Sequence, residues 1–152
     1  MYLLILGGTI ILLDQVTKYL VLHSLPLYST IQVIPGLFNL VHVRNTGAAF
    51  SFLAGEPSAW RQGLFIVLTL FVVAMLLFAY GKLRSTDTWS KTAYGLIVAG
   101  ALGNLIDRLR LGEVVDFLDF YVGAYHWPAF NVADSSITVG ALMLVVPLLR
   151  GK

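Results

Sequence analysis

The chain has 152 residues, of which 58% are hydrophobic and only 12% are charged, and its mean hydropathy is +0.83. A soluble domain carries about 25% charged residues, so we predict a membrane protein that forms a single domain, residues 1–152. The net charge of +2 does not favour a nucleic acid partner. Cysteine is absent, which excludes disulfides and thiol catalysis, and the three histidines are far apart in sequence. We therefore predict no zinc site.

Apolar segments recur four times along the chain. About 20 residues are needed to cross ~30 Å of hydrocarbon, and we predict transmembrane helices at about 2–22, 62–81, 92–111 and 133–149. The first has no basic leader or cleavage signal, so we interpret it as a retained helix and not as a signal peptide. The third and fourth are free of charge only over 92–106 and 135–149. These stretches span about 22 Å each, so they draw flanking polar residues towards the membrane.

The connections between these segments differ in character. The loop at about 25–53 contains a Pro35-Gly36 turn between runs rich in β-branched residues, which predicts a small hairpin. Residues 55–62 are predicted to form a short interfacial helix with Trp60 at headgroup depth. The aromatic-rich stretch at about 112–130 is predicted to be an outer loop.

Basic residues indicate the orientation in the membrane. Lys82, Arg84 and Lys91 lie in one short connection, and Arg150 and Lys152 lie at the carboxyl end. The positive-inside rule places these residues, and with them both termini, in the cytoplasm. The ends of the third and fourth segments that carry acids then lie at the outer face.

Two aspartates lie where apolar segments meet polar sequence. Asp116 follows the third segment and Asp134 precedes the fourth, although an acid at the centre of a membrane helix costs about 2.5–3.5 kcal/mol. Two adjacent carboxyl groups that share a proton can hydrolyse an amide, one as base and one as acid. The alternative is that both acids cap helices, with Asp134 before Ser135 as an N-cap. Asp119 is a rival partner, but we interpret it as a solvated loop residue.

Further polar residues lie in or beside the apolar segments. Asp14 and Lys18 are one helical turn apart, which favours a structural ion pair; a Ser–Lys hydrolase is the alternative for Lys18. Asn45 is predicted to form a turn. Asn104 and Arg108 share a helix face and either hold helices together or support a site. A small-residue seam of Gly95, Ala99 and Gly103 predicts close helix packing.

Five strings in register resemble the lipoprotein signal peptidases (signal peptidase II) of bacteria. They are DQVTK (14–18), RNTGAAF (44–50), GALGNLIDR (100–108), VVDF (114–117) and FNVADSSI (130–137). Family members often have GGALGN where this chain has AGALGN (99–104), so Ala99 adds one methyl group. The resemblance covers nearly the whole chain.

The resemblance implies an all-α membrane protein with four transmembrane helices, an extracytoplasmic β-cradle and a short interfacial helix. It implies an aspartic endopeptidase of the bacterial cytoplasmic (inner) membrane that removes signal peptides from diacylglyceryl-modified prolipoproteins, cleaving before the lipidated cysteine. The catalytic pair falls on Asp116 and Asp134. The positions that support or line the site are Asp14, Lys18, Asn45, Gly100, Asn104, Arg108 and Asn131. Membrane lipids as partners, a monomeric state, no cofactor and sensitivity to globomycin are expected.

Two interpretations from other classes compete with the peptidase. A small four-helix transporter or proton conduit would use Asp14 as a coupling acid, but such proteins place acids near the membrane centre, often within inverted repeats. The present acids gather at one end and no repeat is found. A non-enzymatic scaffold gives no reason for acids at both helix ends.

Overall fold

The computed structural model describes residues 2–47 and 58–149, which form four helices and a small sheet. The helices are α1 (Tyr2–Ser24), α2 (Ala59–Lys82), α3 (Thr88–Leu111) and α4 (Val132–Leu149). The strands are β1 (Thr30–Ile34), β2 (Phe38–Asn45), β3 (Val114–Val122) and β4 (Tyr125–His126). The architecture is mostly helical, as the composition predicts.

Helix α3 lies at the centre of the bundle and packs against α1, α2 and α4. Asp87 caps its start by accepting a hydrogen bond from the backbone N–H of Ser90 at 3.0 Å, which holds the pKa of this carboxyl below its usual value. Gly112 ends it in the left-handed conformation, at φ 80°. These two residues define the ends of the helix that contributes most buried positions to the bundle.

Small residues allow α3 to approach two neighbours closely. The predicted seam faces α1, since a Cβ on Gly95 would meet Leu3 and a Cβ on Gly103 would lie 2.7 Å from an Asp14 oxygen. Gly100 faces α4 instead, and a Cβ there would lie only 2.3 Å from the backbone oxygen of Ala133. The absence of a side chain at Gly100 therefore fixes the distance between α3 and the start of α4.

Two helices are long and apolar enough to cross a membrane by length and composition, α1 and α2. The apolar part of α4 is shorter, at Val132–Val146. Many large apolar side chains on α1 and α2 face outwards, including Leu12, Phe71 and Phe78. Residues 59–62 of the predicted interfacial helix form the first turn of α2, and residues 55–57 lie outside the described residues.

The sheet is antiparallel with strand order β1-β2-β3-β4. The predicted hairpin is present as β1 and β2, while residues 48–53 of the predicted loop lie outside the described residues. The expectation of a loop at 112–130 is wrong for most of that stretch, because β3 runs along the centre of the sheet. The first four residues of β3 are all buried, so they lack the alternation that reveals a half-exposed strand.

A compact apolar cluster joins the sheet to the bundle. Val21 and Leu25 from the end of α1 pack against Val115 and Phe117 of β3. Two backbone N–H groups, of Phe117 and Leu118, donate to the Phe130 carbonyl at 3.0 and 2.8 Å. The segment that leads into α4 is thus attached to β3, and this attachment brings Asp116 towards the start of α4.

Candidate active site

Asp116 lies on β3, four residues beyond the glycine that ends α3, and only 3% of its surface is exposed. Its Oδ1 accepts a hydrogen bond from Asn131 Nδ2 at 2.7 Å, and its Oδ2 accepts one from Asn45 Nδ2 at 3.2 Å. The Asn45 side chain also accepts from the Gly47 N–H at 2.8 Å. Asn45 therefore forms the predicted turn and contacts the acid as well.

Asp134 is the third residue of α4, and it is not the N-cap that the capping alternative proposes. Helix α4 begins at Val132, so Asn131 occupies the N-cap position. Asn131 Oδ1 accepts from the Asp134 N–H at 2.9 Å, and Asp134 Oδ2 accepts from the Asn131 N–H at 3.3 Å. This reciprocal pair is a capping box. The second oxygen of Asp134 accepts from Asn104 Nδ2 at 2.7 Å.

Asn131 therefore contacts both acids. Its side-chain nitrogen binds Asp116, while its backbone N–H and side-chain oxygen bind Asp134. The residue itself is fully buried, at 0% exposure. One asparagine thus holds the strand that carries one acid against the helix that carries the other.

Both aspartates line a cavity of about 780 Å³ between the helices and the sheet. Its polar end is formed by residues that the sequence analysis singles out, and its remaining walls are largely apolar. The polar residues include Asn45, Asn104, Arg108, Asp116 and Asp134, and the apolar ones include Phe65, Leu68, Val72, Phe130, Ile137 and Val139. An apolar chamber with a few convergent polar groups is the usual form of a ligand site.

Burial and a like charge act on Asp116, which lies outside the helices. Removal from water raises the pKa of its carboxyl group to about 7, and the nearby charge of Asp134 acts in the same direction. The hydrogen bonds from Asn45 and Asn131 oppose this rise without cancelling it. At neutral pH this carboxyl group is therefore able to carry a proton.

A second group of acids lies behind the cavity and shares one ammonium group. Lys18 Nζ contacts Asp14 Oδ2 at 2.9 Å, Asp107 Oδ2 at 2.8 Å and Asn104 Oδ1 at 3.0 Å. The predicted Asp14–Lys18 ion pair is present, but Asp107 is a second partner that helical spacing does not predict. The three N–H donors of Lys18 are all used, so no serine is needed to explain this buried lysine.

The second carboxylate oxygen of Asp14 supports α4. Its Oδ1 accepts a hydrogen bond from the Ala133 N–H at 2.9 Å, at the free amino end of that helix. Gln15 is a further member of this cluster that the sequence analysis missed. Its Nε2 lies 3.0 Å from Asp107 Oδ1 and 3.2 Å from both Asp14 Oδ2 and the Gly103 carbonyl. Its position next to Asp14 was the available signal.

Arg108 shares the cavity wall with Asn104, as their spacing predicts. Its Nη2 donates to the Gly47 carbonyl at 2.8 Å, and its guanidinium carbon lies 5.2 Å from the centre of the Phe65 ring. The side chain thus links α3 to the turn after β2 and to α2.

Asp119 does not belong to this site, and its interpretation as a solvated loop residue is wrong. It lies on β3 with 7% of its surface exposed. Its Oδ2 accepts from Asn39 Nδ2 at 2.8 Å, and its Oδ1 lies 2.9 Å from His126 Nδ1. It bridges neighbouring strands within the sheet.

The fold and the site together define a class of protein: an apolar helical bundle in which a buried and a half-buried carboxylate line one cavity, as an aspartic peptidase requires. The profile of a family described as signal peptidase (SPase) II matches residues 6–150. The chain therefore belongs to the signal peptidase II family, a family of peptidases.

Relatives and solved structures agree with this assignment. The lipoprotein signal peptidase of Syntrophus aciditrophicus is 48% identical over 147 residues, which cover 97% of this chain and 91% of that protein. That of Geobacter sulfurreducens is 49% identical over 146 residues, covering 96% and 89%. A bacterial membrane enzyme solved by the in meso method at 2.3 Å is similar with a TM-score of 0.88 and 34% identity, covering 98% of this chain and 88% of that one. The transporter and scaffold interpretations receive no support.

Proposed function

We propose that this protein is a membrane aspartic endopeptidase that removes signal peptides from lipid-modified prolipoproteins, with Asp116 and Asp134 as its catalytic pair. Membership of a peptidase family makes it a peptidase, and the name shared by its relatives gives the substrate class. One observation supports the choice of residues above others. Asp116 and Asp134 both line the cavity, whereas Asp14 and Asp107 are engaged with Lys18 behind it.

The two acids divide the chemistry of amide hydrolysis. The ionised carboxylate accepts a proton from a water molecule, whose oxygen attacks the scissile carbonyl carbon. The protonated carboxyl group donates a hydrogen bond to the carbonyl oxygen and stabilises the charge that develops there. The proton taken from water is then transferred to the amide nitrogen, and the C–N bond breaks. The products are a free carboxyl group on the signal peptide and a free amino group on the mature protein.

The apolar walls of the cavity suit a lipid-modified substrate. Residues of α2 and α4, such as Leu68, Val72 and Ile137, form a wall next to the acids. A diacylglyceryl cysteine carries two acyl chains beside a peptide bond, so it matches a chamber with an apolar wall and a polar end. We propose that cleavage occurs directly before that cysteine.

The exposed apolar surface supports a position in the bacterial cytoplasmic membrane. We propose that all four helices span it, with the sheet as an extracytoplasmic cradle and residues 55–62 at the interface. Both termini then face the cytoplasm, since Lys82 and Arg84 lie at the opposite end of α2 from the acids. The active site lies near the outer face, and membrane lipids surround a monomeric protein.

Cleavage of defined peptides tests this proposal. Purified protein in detergent is mixed with a synthetic peptide whose signal sequence ends at a diacylglyceryl cysteine, and with the same peptide lacking the lipid. We expect mass spectrometry to find cleavage directly before the cysteine in the lipidated peptide only. Equal cleavage of both peptides would reject the substrate class, and cleavage of neither would reject the activity.

A further inference from the structure

The orientation of one buried amide depends on a charge behind the active site. Asn104 carries a donor and an acceptor on the same side chain, and the two are nearly isosteric. In the structure its Nδ2 points to Asp134 Oδ1 at 2.7 Å, and its Oδ1 points to Lys18 Nζ at 3.0 Å. An ammonium group has donors only. A flipped Asn104 would therefore place its own N–H groups against those of Lys18. The longer hydrogen bond from Asn131 Nδ2 to the same oxygen, at 3.3 Å, favours the observed orientation as well, and Lys18 supplies the shorter, charged contact.

Lys18 is well fixed for this purpose. It is 2% exposed, and its other two N–H groups contact Asp14 and Asp107 at 2.9 and 2.8 Å. Lys18 is not one of the described residues that line the cavity. It therefore acts on the site through Asn104 and does not touch a substrate.

The two catalytic acids receive unequal support for a negative charge. Asp134 accepts from Asn104 and from the backbone N–H of Asn131 in the first turn of α4, where the helix dipole favours an anion. Asp116 lies on a strand and accepts from the side-chain amides of Asn131 and Asn45. The pKa of Asp116, raised to about 7 mainly by burial, agrees with this inequality.

Other charged groups near Asp134 come from three elements. Asp116 faces it from β3, Lys18 and Asp14 from α1, and Arg108 from α3. The two cations favour the ionised form of Asp134, and the two acids oppose it. Lys18 is the cation that is connected to Asp134 through a hydrogen-bonded side chain.

We infer that Lys18 is a positioning residue for the catalytic pair: by holding the Asn104 amide it keeps Asp134 ionised as the base, while Asp116 carries the proton. The inference rests on the proposed function, because it assigns roles within that pair. It goes further because it assigns the base and the proton donor within the pair, and because it names a residue outside the cavity that sets these roles.

Infrared spectroscopy locates the proton. Spectra of the protein in detergent at mildly acidic pH are compared with those of Asp116→Asn and Asp134→Asn, both of which keep the side-chain shape. We expect the band of a protonated carboxyl group to disappear in Asp116→Asn and to persist in Asp134→Asn. Loss of the band in Asp134→Asn alone would overturn the assignment. If both variants still cleave the lipidated peptide, the assignment of Asp116 and Asp134 as the catalytic pair is wrong.

The role of Lys18 is tested with a double variant that keeps the wild-type charge of its cluster, and with a single-substitution control. Asp14, Lys18 and Asp107 together carry a charge of −1, from two acids and one cation. Lys18→Met combined with Asp107→Asn also leaves −1, so it removes the ammonium without stranding an extra acid. Asp107→Asn alone is the control, since it retains the Lys18–Asn104 contact. Thermal unfolding in detergent establishes that each variant is folded.

The pH dependence of kcat is the measurement that a merely structural role would not move. In the control, the pH at which activity is lost on the acid side should stay at or below that of the wild type. In the double variant the midpoint of this acid limb of the pH profile should rise by about one pH unit. At a pH below the limb, kcat is then tenfold lower than in the wild type. We expect KM to change little, because Lys18 does not line the cavity. An acid limb unchanged from the wild type would overturn the role of Lys18.

Asn104→Leu shows whether Lys18 acts through the amide. Added to Asp107→Asn, this substitution should produce the same rise in the acid limb, and adding Lys18→Met to it should produce no further rise. Shifts that add would mean that Lys18 acts by its charge alone, which would overturn the route through Asn104. If the Lys18→Met double variant does not fold, the Asn104→Leu variant still tests the proposal. An acid limb that is not shifted in Asn104→Leu would reject the action of Lys18 through the Asn104 amide.

Discussion

Two groups of buried aspartates lie within one bundle, and their environments differ. Asp14 and Asp107 are 0% and 3% exposed and share the Lys18 ammonium. Asp116 and Asp134 are supported mainly by amide groups and line a cavity. The first group shares a cation and lies outside the cavity, whereas the second is in a position to meet substrate and water. We propose that the same residue type is structural in the first group and reactive in the second.

The difference follows from how each group meets the cost of burial. A buried carboxylate with a close cation and full hydrogen bonding is stable, but removing its partner is strongly destabilising. A pair of buried carboxylates with neutral donors meets the cost by sharing a proton. Such a pair is available for acid–base chemistry because its protonation can change at moderate cost.

Asparagine at either member of the reactive pair should have the largest effect on activity. Asp116→Asn and Asp134→Asn each remove an ionisable group and keep the shape of the side chain. We expect cleavage of the lipidated peptide to fall by a factor of at least ~10³. The melting temperature in detergent should stay equal to that of the wild type or rise, because the repulsion between two buried acids is removed.

Asp119→Asn is the matched control, since Asp119 is an equally buried acid of β3 that binds Asn39 and His126 within the sheet. We expect this variant to retain most of its activity. Substantial turnover by Asp116→Asn or Asp134→Asn would remove the distinction between the two groups.

Alanine at Asp14 should have the largest effect on stability. It leaves Lys18 with one fewer partner and leaves the Ala133 N–H without its acceptor. Breaking a buried ion pair in this way costs about 3–5 kcal/mol. Thermal unfolding in the same detergent should show a much lower melting temperature than for Asp134→Asn. A variant that is as stable as the wild type but inactive would place Asp14 in the reactive group instead.

The sequence points to the two acids that line the cavity more directly than to the full set of contacts around Lys18. Asp116 and Asp134 are visible because each breaks the pattern of an apolar segment end. The Asp14–Lys18 pair is visible because helical spacing links residues of one helix. The contact of Lys18 with Asp107 joins α1 to α3, and no local periodicity encodes a contact between helices. The contacts of Gln15 with Gly103 and Asp107 were missed for the same reason, since both partners lie on α3.

The sheet shows a second limit of prediction. The β1–β2 hairpin is marked by a Pro35-Gly36 turn, a signal local in sequence. Strand β3 is buried at four consecutive residues, Val114–Phe117, one of which is the acid Asp116, so it lacks the alternation of apolar and polar residues that marks a half-exposed strand, and a loop was expected there. The misinterpretation of Asp119 follows directly, because a residue placed in a loop is expected to be solvated.

A methyl group at Gly100 tests how accurately the reactive group must be placed. In Gly100→Ala the new Cβ would lie 2.3 Å from the Ala133 carbonyl oxygen, so the start of α4 must move, and Asp134 with it. We expect a destabilisation of about 1–3 kcal/mol and a loss of kcat larger than the fraction unfolded explains. Gly63→Ala on α2 is the control, because nothing lies within 4 Å of a Cβ there. Wild-type kcat in Gly100→Ala would show that the position of Asp134 tolerates a shift.

The mildest test changes pH and leaves the sequence intact. Because the pKa of Asp116 is raised to about 7, mainly by burial, the pair loses its shared proton as pH rises through that value. Cleavage should then fall up to tenfold per pH unit, since no acid remains to donate to the scissile carbonyl.

Stability should follow the same proton with a definite sign. The native state keeps a proton on Asp116 between the ordinary value of 3.8 and about 7, whereas the unfolded chain does not. The resulting stabilisation is complete below pH 3.8 and is lost as pH rises through about 7. The melting temperature of the wild type should therefore decline over this interval relative to that of Asp116→Asn, which has no such proton to lose. If the melting temperatures of the two proteins changed with pH in parallel, the proton on Asp116 would contribute nothing to stability over this interval. The contrast between the two groups of acids would then fail.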